Sequence, residues 1–265
     1  MRYLFGLWLL CQAVLALAQP DPFPQVAASY LVQVNGSLLW EKEVNRRLPP
    51  ASLTKLMTVL LVLDGYKPHA VVEVSRQATL ESGTRIRLQR GDRFHVEDLL
   101  AAALINSAND ACHALADHVA GSHARFVQRM NRRAQQLGMR NTHFTNACGH
   151  DADNHYSTTH DLAVLANELI KNRMVVEFAA KSEAQISTID GTHSYRFENK
   201  NALIGRYPGA VGLKSGYTPK AGKCLVAYAE RAGVRVLLVM LNASNRWWDA
   251  SDILDLAFAN ARHDS

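Results

Sequence analysis

The chain has 265 residues, of which 48% are hydrophobic and 20% charged. This composition is typical of a globular protein and excludes a disordered, collagenous or coiled-coil chain. The formal net charge is +5, but the basic residues are scattered along the sequence, which predicts solubility and no nucleic-acid-binding surface.

The N-terminal segment has the pattern of a secretory signal. Arg2 supplies a positive start, residues 3–17 are almost wholly apolar, and Ala16-Leu17-Ala18 ends the run with the small residues that a signal peptidase reads. The run is shorter than the roughly 20 residues that span a bilayer. We therefore predict a signal peptide over residues 1–18 and an exported protein over 19–265.

The hydrophobic pattern predicts strands near both ends of the mature chain and helices between them. Two β-rich runs, 28–34 and 37–41, flank the hairpin signal Asn35-Gly36. The other predicted elements are a helix that begins near Ser52, short strands over 69–74 and 84–88, helices over 96–105, 109–119, 122–137, 159–171 and 173–180, a hairpin over 184–197, β-rich runs over 223–230 and 234–242, and a final helix over 246–260. We expect a single α+β domain in which helices flank an antiparallel sheet built from both ends of the chain, with a helical insertion.

Three short motifs fall at the junctions of these elements. Ser52 and Lys55 are three residues apart on the first turn of a helix, so the lysine amine can reach the serine hydroxyl. A serine needs such a base to become a nucleophile, and the helix N-terminus offers N–H groups to a developing oxyanion. Taken alone, the same spacing fits a capping serine followed by a solvated lysine.

The other two motifs are Ser107-Ala108-Asn109, in a break between helices, and Lys214-Ser215-Gly216. The first also suits an ordinary turn, and the second also suits a glycine bulge beside an exposed lysine. The order and wide spacing of the three motifs match those of penicillin-binding proteins and serine β-lactamases.

The residues around the motifs extend this match. The chain resembles the low-molecular-mass penicillin-binding proteins, which are serine D-alanyl-D-alanine carboxypeptidases and endopeptidases of cell-wall metabolism. The similarity covers roughly residues 26–260 and rests on Pro50-Ala51-Ser52-Leu53-Thr54-Lys55-Leu56-Met57-Thr58, Ser107-Ala108-Asn109-Asp110-Ala111-Cys112, His155-Tyr156-Ser157-Thr158 with Asp161-Leu162-Ala163, and Gly212-Leu213-Lys214-Ser215-Gly216-Tyr217-Thr218.

The resemblance implies an acyl-enzyme mechanism without cofactor or metal. In this family Ser52 is the nucleophile that attacks the bond between two D-alanines, and Lys55 is its base. The resemblance implies that Ser107 relays a proton and that Asn109 hydrogen-bonds Lys55 and the substrate amide. It implies that Lys214, Ser215 and Lys200 bind the terminal carboxylate and that Gly216 and Tyr217 position the substrate. The implied oxyanion hole consists of the backbone N–H groups of Ser52 and Tyr217.

The resemblance also implies partners and location. The expected partners are peptidoglycan stem peptides and β-lactam antibiotics, and the expected location is the periplasm or cell wall. The chain ends soon after its last predicted helix, where many members continue into a β-rich domain and an amphipathic anchor. We therefore expect no C-terminal anchor domain and no stable membrane attachment. Ser215 occupies a position where the family more often has threonine. Both residues carry a hydroxyl, so the substrate contact is expected to be retained.

Several alternatives remain open at this level. His150, His155 and His160, with Asp151, Asp153 and Asp161, suggest a metal-dependent peptidase, although their spacing fits no helical zinc motif. A penicillin-binding sensor that acylates without turnover and an endopeptidase that cuts cross-links need the same core residues. A β-lactamase is disfavoured, since no Glu-x-x-Leu-Asn element follows Asn109.

The cysteines allow one disulfide in the mature chain. Cys112, Cys148 and Cys224 remain after removal of the signal, and their pairing is open. Cys112 follows Asn109 by three residues, so its thiol is expected either beside the catalytic groove or buried in the core.

Overall fold

A five-stranded antiparallel sheet lies at the centre of the fold, with strand order β2-β1-β9-β8-β7. The computed structural model describes residues 21–65, 67 and 69–263, so the predicted signal peptide lies outside the described residues. The sheet strands are β1 Ala27–Val34, β2 Ser37–Lys42, β7 Ala210–Thr218, β8 Gly222–Arg231 and β9 Val234–Ala243. The prediction of an α+β fold with a sheet drawn from both ends of the chain is confirmed.

Two further pairs of strands form small separate antiparallel sheets, and eight helices make up much of the remaining part that the structure describes. One sheet pairs β3 Val71–Glu73 with β4 Arg93–His95, and the other is the hairpin of β5 Glu183–Ser187 and β6 Ser194–Glu198. The helices are α1 Lys55–Asp64, α2 Arg76–Thr79, α3 Val96–Ala101, α4 Asn109–Ala120, α5 His123–Gln136, α6 Thr159–Leu169, α7 Arg173–Ala179 and α8 Arg246–His263.

The alternation of side chains along each strand divides the core between the two faces of the sheet. In β9, Leu238 and Met240 pack towards α8, whereas Val239 and Leu241 join the larger core with the helical region. Helix α8 therefore covers one face, and α1 and the helices of the insertion cover the other. In the described ranges no helix has the length and apolarity that a bilayer span requires.

Local sequence signals explain several element boundaries. Asn35 and Gly36 both take positive φ, as a tight Asn-Gly hairpin requires. Helices α5, α6 and α7 begin after Ser122, Thr158 and Asn172, and each of these side chains accepts a hydrogen bond from a backbone N–H of the first turn. The predicted starts of these helices are therefore correct to within a residue.

The strand predicted over residues 84–88 is wrong. The N-terminus of α4 binds this segment instead: Asn109 N donates to Thr84 O at 2.8 Å, and the Asp110 carboxylate accepts from the N–H groups of Ile86 and Leu88. Because these backbone groups form hydrogen bonds with α4, they do not pair with another strand. The nearby strand β4 begins later, at Arg93.

Candidate active site

Ser52 lies on a single 3-10 turn, Ala51–Thr54, that leads directly into α1. Proline at position 50 suits the start of this turn, and Leu53 N donates to Pro50 O at 3.1 Å. Ala51 has φ of 48°, a left-handed conformation that is costly for alanine and that the surroundings must maintain. Ser52 is half-buried, while Lys55 at the start of α1 is fully buried.

The Lys55 amine connects Ser52 to two other segments. Its Nζ lies 3.0 Å from Ser52 Oγ, 2.6 Å from Asn109 Oδ1 and 2.6 Å from the backbone oxygen of Cys148. The Asn109 and Cys148 oxygens can only accept hydrogen bonds. A neutral amine has two N–H groups, which these two oxygens satisfy, so its lone pair is left to face the Ser52 hydroxyl.

Electrostatics favour this neutral form. Burial lowers the pKa of Lys55 from 10.5 to about 7, against the opposing negative charges of Glu81 and Asp110. A fraction of the enzyme near neutral pH therefore holds Lys55 as a free base within hydrogen-bond distance of Ser52, the condition for general-base activation of a hydroxyl.

Ser107 and Asn109 lie where a π-helical segment, Ala102–Asn106, ends and α4 begins. Ser107 has φ of 66°, and this left-handed residue breaks the helix. Asn109 is the first residue of α4, and its Nδ2 donates to Ser82 O at 2.6 Å, which directs Oδ1 towards Lys55. The Ser107 side chain is buried and forms no hydrogen bond within the part of the chain that the structure describes.

Lys214 and Ser215 lie on β7, the edge strand of the sheet nearest to the Ser52 turn. Lys214 is 1% exposed, so the exposed-lysine interpretation of this motif is wrong; its Nζ donates to Ser215 O at 2.8 Å. Burial, followed by the positive charges of Lys55 and Arg246, holds the pKa of Lys214 well below its usual range. Ser215 Oγ donates to the backbone oxygen of Lys200 at 3.2 Å.

Gly216 allows β7 to approach the Ser52 turn closely. A Cβ atom at this position would lie 2.9 Å from Ser52 N and 3.1 Å from Ala51 Cβ. Any side chain there would push the strand away from Ser52, so the close packing requires glycine at this position. Tyr217 follows on the strand with a side chain that is 62% exposed.

Lys200 enters the site through its backbone. Its carbonyl receives the Ser215 hydroxyl, its N–H donates to Ile105 O at 3.0 Å, and its side chain is exposed. The structure thus brings the Lys55 amine into contact with both Ser52 and Asn109. It places Lys214, Ser215 and Gly216 on the adjoining strand, with Lys200 beside Ser215.

Three contributors escaped the sequence analysis. The Cys148 carbonyl is invisible to motif reading because it is a backbone group. Arg246, at the start of α8, donates from Nη1 to the backbone oxygens of Gly216 and Cys224 and so fixes the edge strand. Cys112 and Cys148 form a disulfide, which leaves Cys224 as a buried thiol. Cys112 therefore presents no free thiol to the groove.

His155 stabilises the Ser52 turn through a hydrogen bond to Thr54. Its Nδ1 accepts from Thr145 N at 3.0 Å, so Nε2 carries the hydrogen and donates to Thr54 Oγ1 at 2.8 Å, and the Thr54 hydroxyl donates to Ala51 O. Burial, reinforced by the charge of His143, lowers the pKa of His155 to about 4. The residue is therefore neutral at physiological pH.

The other histidines of the predicted cluster have separate partners. His150 contacts Glu81 at 2.6 Å, and His160 contacts Asp161 at 3.2 Å. Asp151 accepts from Thr218 Oγ1, and Asp153 lies 3.6 Å from Lys220 Nζ. In the described ranges no three histidine, cysteine or acidic side chains converge as a metal site would need.

Comparison with known proteins agrees with this geometry. The family model described as D-alanyl-D-alanine carboxypeptidase, peptidase family S11, matches residues 18–245. The chain is 34% identical to D-alanyl-D-alanine carboxypeptidase DacF of Bacillus subtilis and 34% identical to DacC of Escherichia coli. These alignments cover 97% and 89% of this chain, which spans 69% and 62% of the length of the two relatives.

Solved structures share the fold. The DD-transpeptidase of Streptomyces K15 superposes with a TM-score of 0.83 at 29% identity, over 89% of this chain and 98% of that one. The D-alanyl-D-alanine carboxypeptidase of Mycobacterium tuberculosis gives 0.84 at 30% identity, over 92% and 95%. Penicillin-binding protein D2 of Listeria monocytogenes, solved in its ampicillin-bound form, gives 0.77 at 34% identity, over 90% and 100%.

The fold, the serine–lysine site and the family match define a serine peptidase of the penicillin-binding type. The chain belongs to the D-alanyl-D-alanine carboxypeptidase family of hydrolases.

Proposed function

We propose that the protein is an exported serine D,D-carboxypeptidase that hydrolyses the D-Ala-D-Ala bond of peptidoglycan stem peptides. The observation that carries the proposal is the arrangement around Lys55. Two obligate acceptors occupy its N–H groups, burial depresses its pKa to about 7, and Ser52 Oγ lies 3.0 Å away. A nucleophile and its base are thereby adjacent before substrate binds.

Acylation begins when Lys55 takes the proton of Ser52 and Oγ attacks the carbonyl carbon between the two D-alanines. The oxyanion of the tetrahedral intermediate lies against the backbone N–H groups of Ser52 and Tyr217, and Gly216 keeps these segments close together. Ser107 relays a proton to the departing amine. D-alanine leaves, the acyl-serine ester remains, and water then resolves it.

The substrate peptide binds between strand β7 and the N-terminus of helix α4, close to Ser52. The peptide lies along the open edge of β7, where the Asn109 side chain hydrogen-bonds the substrate amide. Lys214, the Ser215 hydroxyl and Lys200 bind the terminal carboxylate. The negative charge of the carboxylate favours the protonated form of the buried Lys214 amine, which then forms a charge-assisted hydrogen bond. β-Lactams acylate the same Ser52, because their strained amide occupies the place of the scissile bond. The substrate belongs to the cell wall, so the enzyme works in the periplasm or at the wall.

Release of D-alanine from a peptide that ends in D-Ala-D-Ala tests the proposal. The purified protein should produce one D-alanine per peptide cleaved, measured by mass spectrometry of both products, and Ser52→Ala should produce none. Binding of penicillin without release of D-alanine would identify a sensor instead. Faster cleavage of cross-linked dimers than of linear pentapeptide would identify an endopeptidase.

A further inference from the structure

Glu81 bridges two histidines beside the catalytic site. One carboxylate oxygen lies 2.6 Å from His113 Nδ1 on α4, and the other lies 2.6 Å from His150 Nε2 in the loop after Cys148. The carboxylate is mostly buried, and its side chain is 12% exposed. A buried acid with both oxygens committed to donors is held in one orientation.

Two further titratable residues, Asp117 and His123, contact His113. Asp117 lies 3.4 Å from His113 Nε2 and accepts a hydrogen bond from Ser75, and the His123 ring stacks on His113 with 5.2 Å between centroids. Burial would raise the pKa of Glu81, but the bonds from His113 and His150 outweigh it and lower that pKa to about 2. Glu81 is therefore ionised at neutral pH.

Two backbone carbonyls close in sequence to the bridged residues accept hydrogen bonds from catalytic side chains. Ser82, the residue after Glu81, receives Asn109 Nδ2 at 2.6 Å on its backbone oxygen. His150 follows Gly149, which in turn follows Cys148, whose backbone oxygen receives Lys55 Nζ at 2.6 Å. Gly149 is packed so closely that a Cβ there would lie 2.0 Å from Ala51 O.

We propose that Glu81 is a positioning residue for acylation: by holding His113 and His150, its carboxylate fixes the Ser82 and Cys148 carbonyls that orient Asn109 and Lys55. This inference rests on the proposed acylation of Ser52 and adds a residue that the three motifs do not contain. Through His150 the Glu81 carboxylate holds the Cys148 loop, and through His113 it holds α4.

Glu81 also acts on Lys55 through its charge. The groups that face Lys55 are Glu81 from the loop after α2, Asp110 from α4 and Lys214 from β7. The negative charges of Glu81 and Asp110 raise the pKa of Lys55, against the burial that lowers it. Neutralising Glu81 therefore lowers the pKa of Lys55 further, and the free base then forms at lower pH.

The test is the second-order rate of acylation by a fluorescent penicillin, measured from about pH 5 to about pH 9 for wild type, Glu81→Gln and His150→Ala. Glu177→Gln, which removes an exposed carboxylate from the ion pair with Arg173 on α7, is the matched control. Circular dichroism and the unfolding midpoint of each variant establish that it folds.

Glu81→Gln should lower the maximal rate by about tenfold or more, as expected when reacting groups lose their alignment, and should move the acid limb of the profile to lower pH. His150→Ala should lower the rate without that shift, because Glu81 keeps its charge. Glu177→Gln should match wild type.

Wild-type rates in both variants would overturn the inference, as would a Glu81→Gln acid limb that does not move. If Glu81→Gln fails to fold, a wild-type rate in His150→Ala overturns it alone. Failure of the wild type to acylate at all would instead refute the proposed function.

Discussion

Cys112 and Cys148 are joined by a disulfide that ties α4 to the loop whose carbonyl holds the Lys55 amine. Asn109, the other acceptor of that amine, lies three residues before Cys112 on the same helix. The covalent bond therefore connects the two segments that together fix the orientation of the proposed base.

Removal of this disulfide should destabilise the protein. The bond closes a sequence separation of 36 residues, for which the chain-entropy model gives about 4 kcal/mol of stabilisation. The variant Cys112→Ala with Cys148→Ala should lose about that free energy of unfolding in urea titrations. Cys224→Ala keeps the disulfide and should cost about 1 kcal/mol. Equal losses in the two variants would contradict the assigned pairing.

The pH dependence of acylation should report Lys55. Its pKa falls from 10.5 to about 7, so below pH 7 the amine is protonated and has no lone pair for Ser52. The rate of penicillin acylation should rise with pH through about 7 and then level. Lys55→Ala should slow it by about 10²–10⁴ at pH 8, the usual cost of losing a general base.

Lys171→Ala is the control for this experiment, since Lys171 lies exposed in an ion pair with Glu168. It should leave both rate and profile unchanged. An acid limb near pH 10, the range of an ordinary lysine, would show that burial does not lower the pKa of Lys55.

Stability should fall in acid because of His155. Its folded-state pKa of about 4 lies below its ordinary value of 6.5, so the unfolded chain binds the proton more readily. The stability contribution is complete above pH 6.5 and declines as pH falls towards 4, by about 2 kcal/mol between pH 7 and pH 5.

Urea titrations at the two pH values measure this loss. His155→Gln should remove that part of the pH dependence, whereas His160→Gln, a change at a half-exposed side chain, should retain it. An identical pH dependence in wild type and His155→Gln would mean that His155 is not held neutral.

The sequence predicted the parts of this fold that depend on local pattern. The Asn35-Gly36 turn and the capping residues Ser122 and Thr158 act within a few positions of themselves, so their elements were identified correctly. Residues 84–88 have the apolar pattern of a strand, but backbone pairing is a tertiary choice, and α4 takes their N–H and C=O groups.

The same division applies to the site. Ser52, Lys55 and Asn109 were predicted because their side chains occur in short motifs. The Cys148 carbonyl and the Glu81 bridge could not be predicted, because a backbone acceptor has no residue type and Glu81 meets His150 across 69 positions. Burial of Lys214 also depends on the packing of β7 against the Ser52 turn.

Lys214 should matter most for substrates with a free terminal carboxylate. Lys214→Ala removes a buried amine that the terminal carboxylate keeps protonated, so it should reduce kcat/KM on a peptide ending in D-Ala-D-Ala more than on the same peptide with an amidated end. The expected difference is about 1.5–3 kcal/mol of binding, or roughly 10–150-fold. Lys200→Ala removes an exposed side chain and should have a smaller effect on the same ratio. Equal losses on both peptides would assign Lys214 to proton transfer rather than to carboxylate binding.

Covalent labelling tests the central assignment, Ser52 as the nucleophile, most directly. The folded protein is incubated with a β-lactam, and intact mass is measured before proteolysis and peptide mapping. The ring-opened β-lactam has no leaving group, so the protein should gain its full mass once, on the peptide that contains Ser52. Ser52→Ala should fold, with an unchanged unfolding midpoint, and take no label. A label that persists in Ser52→Ala, or that maps to another residue in the wild type, would contradict the account.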